Sequence, residues 1–191
     1  MTKTFYILHG DDDLSIDEAV TKIRNEMGDD PNADMNTSQF DGTSASVPEI
    51  LGAVTSYPFL SERRLVIVKG LITWITRKGA GQIGKDNVAR LTDELPHLPD
   101  YSRLVMVERQ TIKDNNAVMK AVKGLDNGYI KAFTAPKDTT SWILDRARSE
   151  YEVRIDNRAA AALAAVTGDD LRRADNELVK LVNYVGTEDR P

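Results

Sequence analysis

Three features predict a parallel α/β domain with helices on both faces, followed by a small all-helical domain. Short apolar runs alternate with helical stretches through the first two thirds of the chain. Those runs are continuous, as in Leu65–Val68 and Leu104–Val107, rather than alternating with polar residues. Strands of that kind are buried on both sides. From Ser141 onward the pattern is helix alone, which sets the expected domains at 1–138 and 139–191.

Taken in order, Phe5–Leu8 reads as a buried strand closed by His9-Gly10. Leu14–Met27 is helical, with Ile16, Ala19, Val20, Ile23 and Met27 on one face and Gly28 as the stop. A weaker strand spans Met35–Phe40. A short helix then starts at Val47, with Ser46 as its cap and Pro48 and Glu49 in its first turn. Leu65–Val68 is the strongest strand signal and ends at Lys69-Gly70. Residues 71–85 read as a loop in which Ile72, Trp74 and Ile75 still need cover. A helix at Asn87–Leu95, a strand at Leu104–Val107, a helix at Asn116–Val122 and a strand at Tyr129–Phe133 complete the α/β part. Trp142–Glu150, Asn157–Val166 and Asp170–Tyr184 form the three expected helices of the second part.

Composition removes several classes of function. The 191 residues contain no cysteine, which rules out disulfides, zinc–thiolate sites and cysteine nucleophiles. His9 and His97 are the only histidines and share no partner pattern, so each is expected to be structural or exposed. The longest apolar run, Ala159–Val166, is eight residues, far below a membrane span. A cytoplasmic protein without membrane contact is the expectation. The net charge of −5 argues against strong nucleic-acid binding by the chain alone. Its distribution is uneven, however: residues 1–61 carry −8 and residues 63–90 carry +6. The basic block is either a solvated face or a contact surface.

Gly79–Lys85 matches GxGxxG and most of GxxxxGK. A phosphate loop follows a strand directly and ends in Ser or Thr, whereas here the strand is distant and residue 86 is Asp. A nucleotide-dependent enzyme using this loop is one alternative function, and a DNA-contacting scaffold using the basic block is another. Gly10–Asp13 sits where α/β folds place ligands, but three carboxylates are the wrong charge for a phosphate. Asp13 or Ser15 capping the next helix is the expected role. Glu108 ends an apolar strand as a magnesium-orienting acid would, yet no phosphate loop accompanies it. No catalytic residue, metal site or cofactor is expected. Tyr57-Pro58-Phe59-Leu60, rimmed by charge, is either core packing or a set of protruding anchors for a partner.

Phe5–Asp12, Pro58–Gly70, Trp142-Ile143 and Gly168–Leu181 together resemble the delta subunit of the bacterial DNA polymerase III clamp loader. The similarity runs in order from residue 5 to about residue 186. It implies an AAA+-type, RecA-like α/β domain with a degenerate nucleotide site, followed by a helical lid. It further implies a subunit that binds the ring-shaped sliding clamp (the beta subunit) and opens it for loading onto DNA, while sister subunits hydrolyse ATP. The clamp-binding residues carried over are Pro58 and Phe59, flanked by Tyr57 and Leu60. The family normally adds further lid helices and a collar domain that joins the other clamp-loader subunits. The resemblance therefore implies that this chain is a fragment with a truncated lid and no collar, contacting DNA as part of the complex.

Overall fold

The computed structural model of the chain describes residues 3–28 and 31–185. They divide into two compact units, with the boundary between Thr134 and Ala135. The first contains β1 (Phe5–Gly10), α1 (Asp13–Asn25), β2 (Thr37–Asp41), α2 (Val47–Thr55), β3 (Arg64–Lys69), α3 (Leu71–Ile75), α4 (Gly81–Glu94), a 3-10 turn at Leu95–His97, β4 (Ser102–Glu108), α5 (Ala117–Val122) and β5 (Gly128–Phe133). The second contains α6 (Thr139–Tyr151), α7 (Asn157–Thr167) and α8 (Leu171–Val185). The part of the expected second domain beyond Val185 lies outside the described residues.

All five strands are parallel, in the order β2-β3-β4-β1-β5. Parallel strands need crossover helices, and those helices must cover both faces of the sheet. One face carries Phe5, Ile7, Val66, Val68, Leu104 and Met106, packed against apolar residues of α2, α3, α4 and α5. The other carries Leu8, Leu65, Ile67, Val105 and Val107, packed against Ile16 and Ile23 of α1 and Met27 beyond it. Each fully buried aliphatic side chain contributes roughly 1.5–3 kcal/mol of transfer free energy. The strand expected at Tyr129–Phe133 is present but lies at the sheet's edge, so Tyr129 and Ile130 are partly exposed. Two-sided burial therefore holds for the inner strands and not for β5.

The segment 71–85, expected to be a loop, is largely helical. Leu71, Ile72 and Ile75 of α3 are buried, and α4 begins at Gly81 rather than near Asn87. Gly84 allows α4 to approach the end of α3: a Cβ there would lie 2.6 Å from the Ile75 carbonyl oxygen. Trp74 is 39% exposed and finds its cover under the Arg77 guanidinium, 3.4 Å above the ring. Five residues are too few to show helical periodicity, and Gly-Gln-Ile-Gly is a weak helix opening. Tertiary packing overrides both.

In the second unit, Ile143, Ala160 and Ala174 form the buried centre, with Trp142, Leu144, Ile155 and Leu163 packed on it. Asp138 caps α6 by accepting from the Thr140 and Ser141 amides at 3.0 and 3.2 Å. Asp175 of α8 joins α6 by accepting from Arg146 Nε at 2.8 Å and from the Tyr151 hydroxyl at 2.7 Å. Burial and this hydrogen bond push the Tyr151 hydroxyl up to about 12.

The end of β1 is fixed by two contacts. Gly10 has φ of 141°, and a Cβ there would fall 1.8 Å from the Phe133 carbonyl oxygen. Buried His9 accepts a hydrogen bond at Nδ1 from the Ile112 amide at 3.1 Å, an arrangement open only to the neutral ring. Burial pushes the His9 pKa down, against a smaller opposing pull from Asp114. His97 is exposed.

Replacing Gly10 with Ala should separate β1 from β5 and cost at least about 2 kcal/mol in urea denaturation, an overpacking penalty combined with an unfavourable backbone angle. Stability should also fall in acid through His9. The unfolded chain takes up a proton below its ordinary value of 6.5, while folded His9 resists. Its contribution is thus complete above that pH and is lost as pH falls through the lowered folded value. Denaturation curves of wild type and His9→Gln between pH 4.5 and 7.5 should differ in pH slope; identical slopes would exclude His9 as the source.

Candidate functional site

The C-terminal ends of the strands are where open α/β sheets bind ligands. Here the groups at those ends are engaged by the protein itself. The Asp11 and Asp12 amides both donate to the Phe133 carbonyl, at 3.1 and 3.3 Å. A phosphate cradle needs such amides turned toward a ligand. Asp12, not Asp13 or Ser15, caps α1: its carboxylate accepts from the Ser15 amide at 3.0 Å and the Ser15 hydroxyl at 2.6 Å. Arg109, just beyond β4, pairs with Asp13 at 2.9 Å and Asp17 at 2.8 Å. The acidic segment after β1 is therefore tied to helix α1 and to a neighbouring arginine.

Glu108 has an equally local role. Its buried carboxylate accepts from the Ile72 amide at 2.6 Å, the Thr73 amide at 3.2 Å and the Thr73 hydroxyl at 2.6 Å. Burial pushes its pKa up, and these three hydrogen bonds pull against that shift. Glu108 thus serves as a distant cap for α3, satisfying amides that the short helix leaves without intrahelical partners.

Gly79–Lys85 does not form a phosphate loop. Its first residues connect α3 to α4 and the remainder is the first turn of α4, with no strand leading into it. Among the described residues, no three acidic, histidine or cysteine side chains converge in a way that could hold a metal ion. No helix among them is long and apolar enough to cross a membrane. Three arginines of the basic block have separate local partners. Arg63 donates to the Glu26 carbonyl, Arg64 donates to the Ala53 carbonyl at 3.0 Å and to Ser38 Oγ at 3.0 Å, and Arg77 covers Trp74.

Tyr57, Pro58, Phe59 and Leu60 lie on the loop between α2 and β3, at the N-terminal edge of the sheet. That edge is opposite the one carrying Asp12, Glu108 and Arg109. The core reading does not hold for three of the four: Tyr57 is 85%, Phe59 55% and Leu60 75% exposed, and Pro58 is half-buried. The Tyr57 ring rests on that of Tyr101 at 5.0 Å between centroids, and Tyr101 is itself held by a 2.7 Å hydrogen bond to the Thr55 carbonyl. Met35, 63% exposed on the segment before β2, adds a fourth large apolar side chain in this region.

The loop's backbone is fixed from below. The carboxamide of buried Asn36 accepts from the Phe59 amide at 2.6 Å and donates to the Phe59 carbonyl at 2.8 Å. Asn32 Nδ2 donates to the Leu60 carbonyl at 3.2 Å. Leu60 itself has φ of 49°, in the left-handed region. Sequence reading identified the four loop residues but not Asn32, Asn36 or Tyr101, because a hydrogen bond between residues 23 positions apart leaves no local pattern.

Similarity to known proteins agrees with this architecture. Residues 6–132 match the family described as DNA polymerase III, delta subunit. The DNA polymerase III subunit delta of Bacillus subtilis (strain 168) is 26% identical over 182 residues, covering 95% of this chain and 52% of that protein. The solved structure of the Bacillus subtilis DNA clamp loader delta protein (YqeN) shares the fold, with a TM-score of 0.78 at 24% identity. It matches over 97% of this chain and 55% of its own. The chain thus spans about half the length of these relatives. With a family match across most of the parallel α/β unit, this chain belongs to the DNA polymerase III delta subunit family.

Proposed function

We propose that this chain acts as a clamp-loader delta subunit, binding the sliding clamp through Tyr57, Pro58, Phe59 and Leu60 and favouring the opened ring. The observation that carries this reading is the exposure of Tyr57, Phe59 and Leu60 on a loop whose backbone is anchored by a buried side chain. Membership of the delta subunit family and similarity to a clamp loader delta protein support a sliding clamp as that partner. Large apolar side chains on a fixed backbone lose little entropy on docking, and each can add roughly 1.5–3 kcal/mol when buried in a partner's pocket.

On this reading residues 1–138 are an AAA+-type domain with a degenerate nucleotide site, and the helices from residue 139 are its lid. Binding energy does the work. A subunit that prefers the open ring by a few kcal/mol shifts the ring's own equilibrium by that difference in affinity. ATP is hydrolysed by sister subunits, and DNA is met within the assembled polymerase III complex in the cytoplasm. The engagement of Asp12, Glu108 and Arg109 by neighbouring groups supports a mechanism without nucleotide at this subunit.

Titrating wild type and Phe59→Ala against the cognate clamp, without nucleotide, tests the assignment. The substitution should weaken binding by about 2 kcal/mol, close to 30-fold, with an unchanged circular dichroism spectrum. Equal affinity of the two folded proteins would remove Phe59 from the interface.

A further inference from the structure

We propose that Asn36 is the positioning residue of the 57–60 loop, holding the Phe59 peptide so that Phe59 and Leu60 are presented ready for docking. The inference rests on the clamp-binding reading of that loop.

Asn36 is fully buried, yet no apolar side chain could replace it. Its Oδ1 accepts from the Phe59 amide at 2.6 Å, while its Nδ2 donates to the Phe59 carbonyl at 2.8 Å and to the Asn32 carbonyl at 3.0 Å. Both ends of one carboxamide thus engage both polar groups of one residue, as a neighbouring strand would. Asn36 is in turn held by the main chain. Its amide donates to the Asn32 carbonyl at 3.1 Å, and its carbonyl accepts from the Leu65 amide of β3 at 2.9 Å. The loop is therefore registered to the sheet through a side chain whose own backbone belongs to the sheet's edge.

The chemistry admits few substitutes. Asp keeps the acceptor but sets a carboxylate against two carbonyl oxygens. Leu has the shape without the polar groups, and Gln is one methylene too long for a closely packed site. Next to this contact Leu60 occupies a left-handed backbone conformation, which a leucine keeps only when its surroundings impose it. The Asn36 bonds and the Asn32 bond to the Leu60 carbonyl are the groups that impose it. Releasing them leaves Phe59 and Leu60 chemically intact but lets the loop sample other conformers. Apparent affinity then falls by the fraction of time spent in the competent one.

A conformational loss and a contact loss separate kinetically. If only a fraction of molecules is competent, association slows in proportion while dissociation is unchanged. Removing a contact mainly speeds dissociation. The experiment compares wild type, Asn36→Ala, Asn36→Asp and Phe59→Ala by surface plasmon resonance on immobilised clamp, alongside amide hydrogen exchange of the free proteins. Asn36→Ala should raise exchange at the Phe59 amide at least 10-fold while the Leu65–Val68 amides stay protected. Its clamp association should slow at least 5-fold with dissociation within 2-fold of wild type. Phe59→Ala should show the opposite split.

Unchanged exchange at Phe59 in folded Asn36→Ala, or a loss confined to dissociation, overturns the positioning role. If Asn36→Ala does not fold, Asn36→Asp carries the test through its association rate, and a wild-type rate there overturns the proposal. Absence of clamp binding by the folded wild type overturns the clamp reading itself. In that case the exchange at Phe59 still decides whether Asn36 holds the loop.

Discussion

Burial of the inner parallel strands on both faces governs this protein's first unit. β4 lies between β3 and β1, and all seven of its residues are buried. With no side of the inner strands facing water, polar function is pushed to the two edges where strands begin and end. Crossover helices supply the apolar cover, and each short connection must then satisfy its own amides and carboxylates locally. Asp12 with Ser15, Glu108 with α3, and Asn36 with Phe59 are three solutions to that same requirement.

The two edges of the sheet are used differently. At the C-terminal edge, where open α/β sheets bind ligands, the β1–α1 amides bond to Phe133 and the nearby carboxylates cap helices or pair with Arg109. The N-terminal edge has the reverse character. There the backbone is satisfied, while large apolar side chains remain outside: Tyr57, Phe59 and Leu60, with Met35 on the neighbouring segment. An exposed apolar group on a fixed backbone is a feature of partner surfaces, since an unanchored loop would bury such side chains against its own domain.

Much of this organisation is legible in the amino-acid sequence. The alternation of buried runs with amphipathic helices predicted the parallel α/β layering and the switch to helices in the second unit, because both depend on local apolar periodicity. Tyr57–Leu60 stood out because bulky apolar residues rimmed by charge are unusual at a helix end. The chain was less legible where a contact spans distant positions. α3 was hidden because five residues show no period, and its amides are capped by Glu108, 36 positions away. The edge position of β5, which leaves an apolar strand partly exposed, follows from strand order and not from the strand's own residues.

The sequence by itself determined most of the elements, the class of fold, the resemblance to a replication family and the candidate loop Tyr57–Leu60. Those properties reside in short windows of the chain, where periodicity, capping residues and motif spacing are written directly. Only the tertiary structure decided that Tyr57, Phe59 and Leu60 are exposed rather than core, that Glu108 caps α3, and that the Asn36 side chain bonds the Phe59 peptide. Each of these depends on which distant groups the sheet brings within hydrogen-bonding or packing distance. Exposure and partnership are properties of the assembled packing, and the same residue types in another strand order would have met different neighbours.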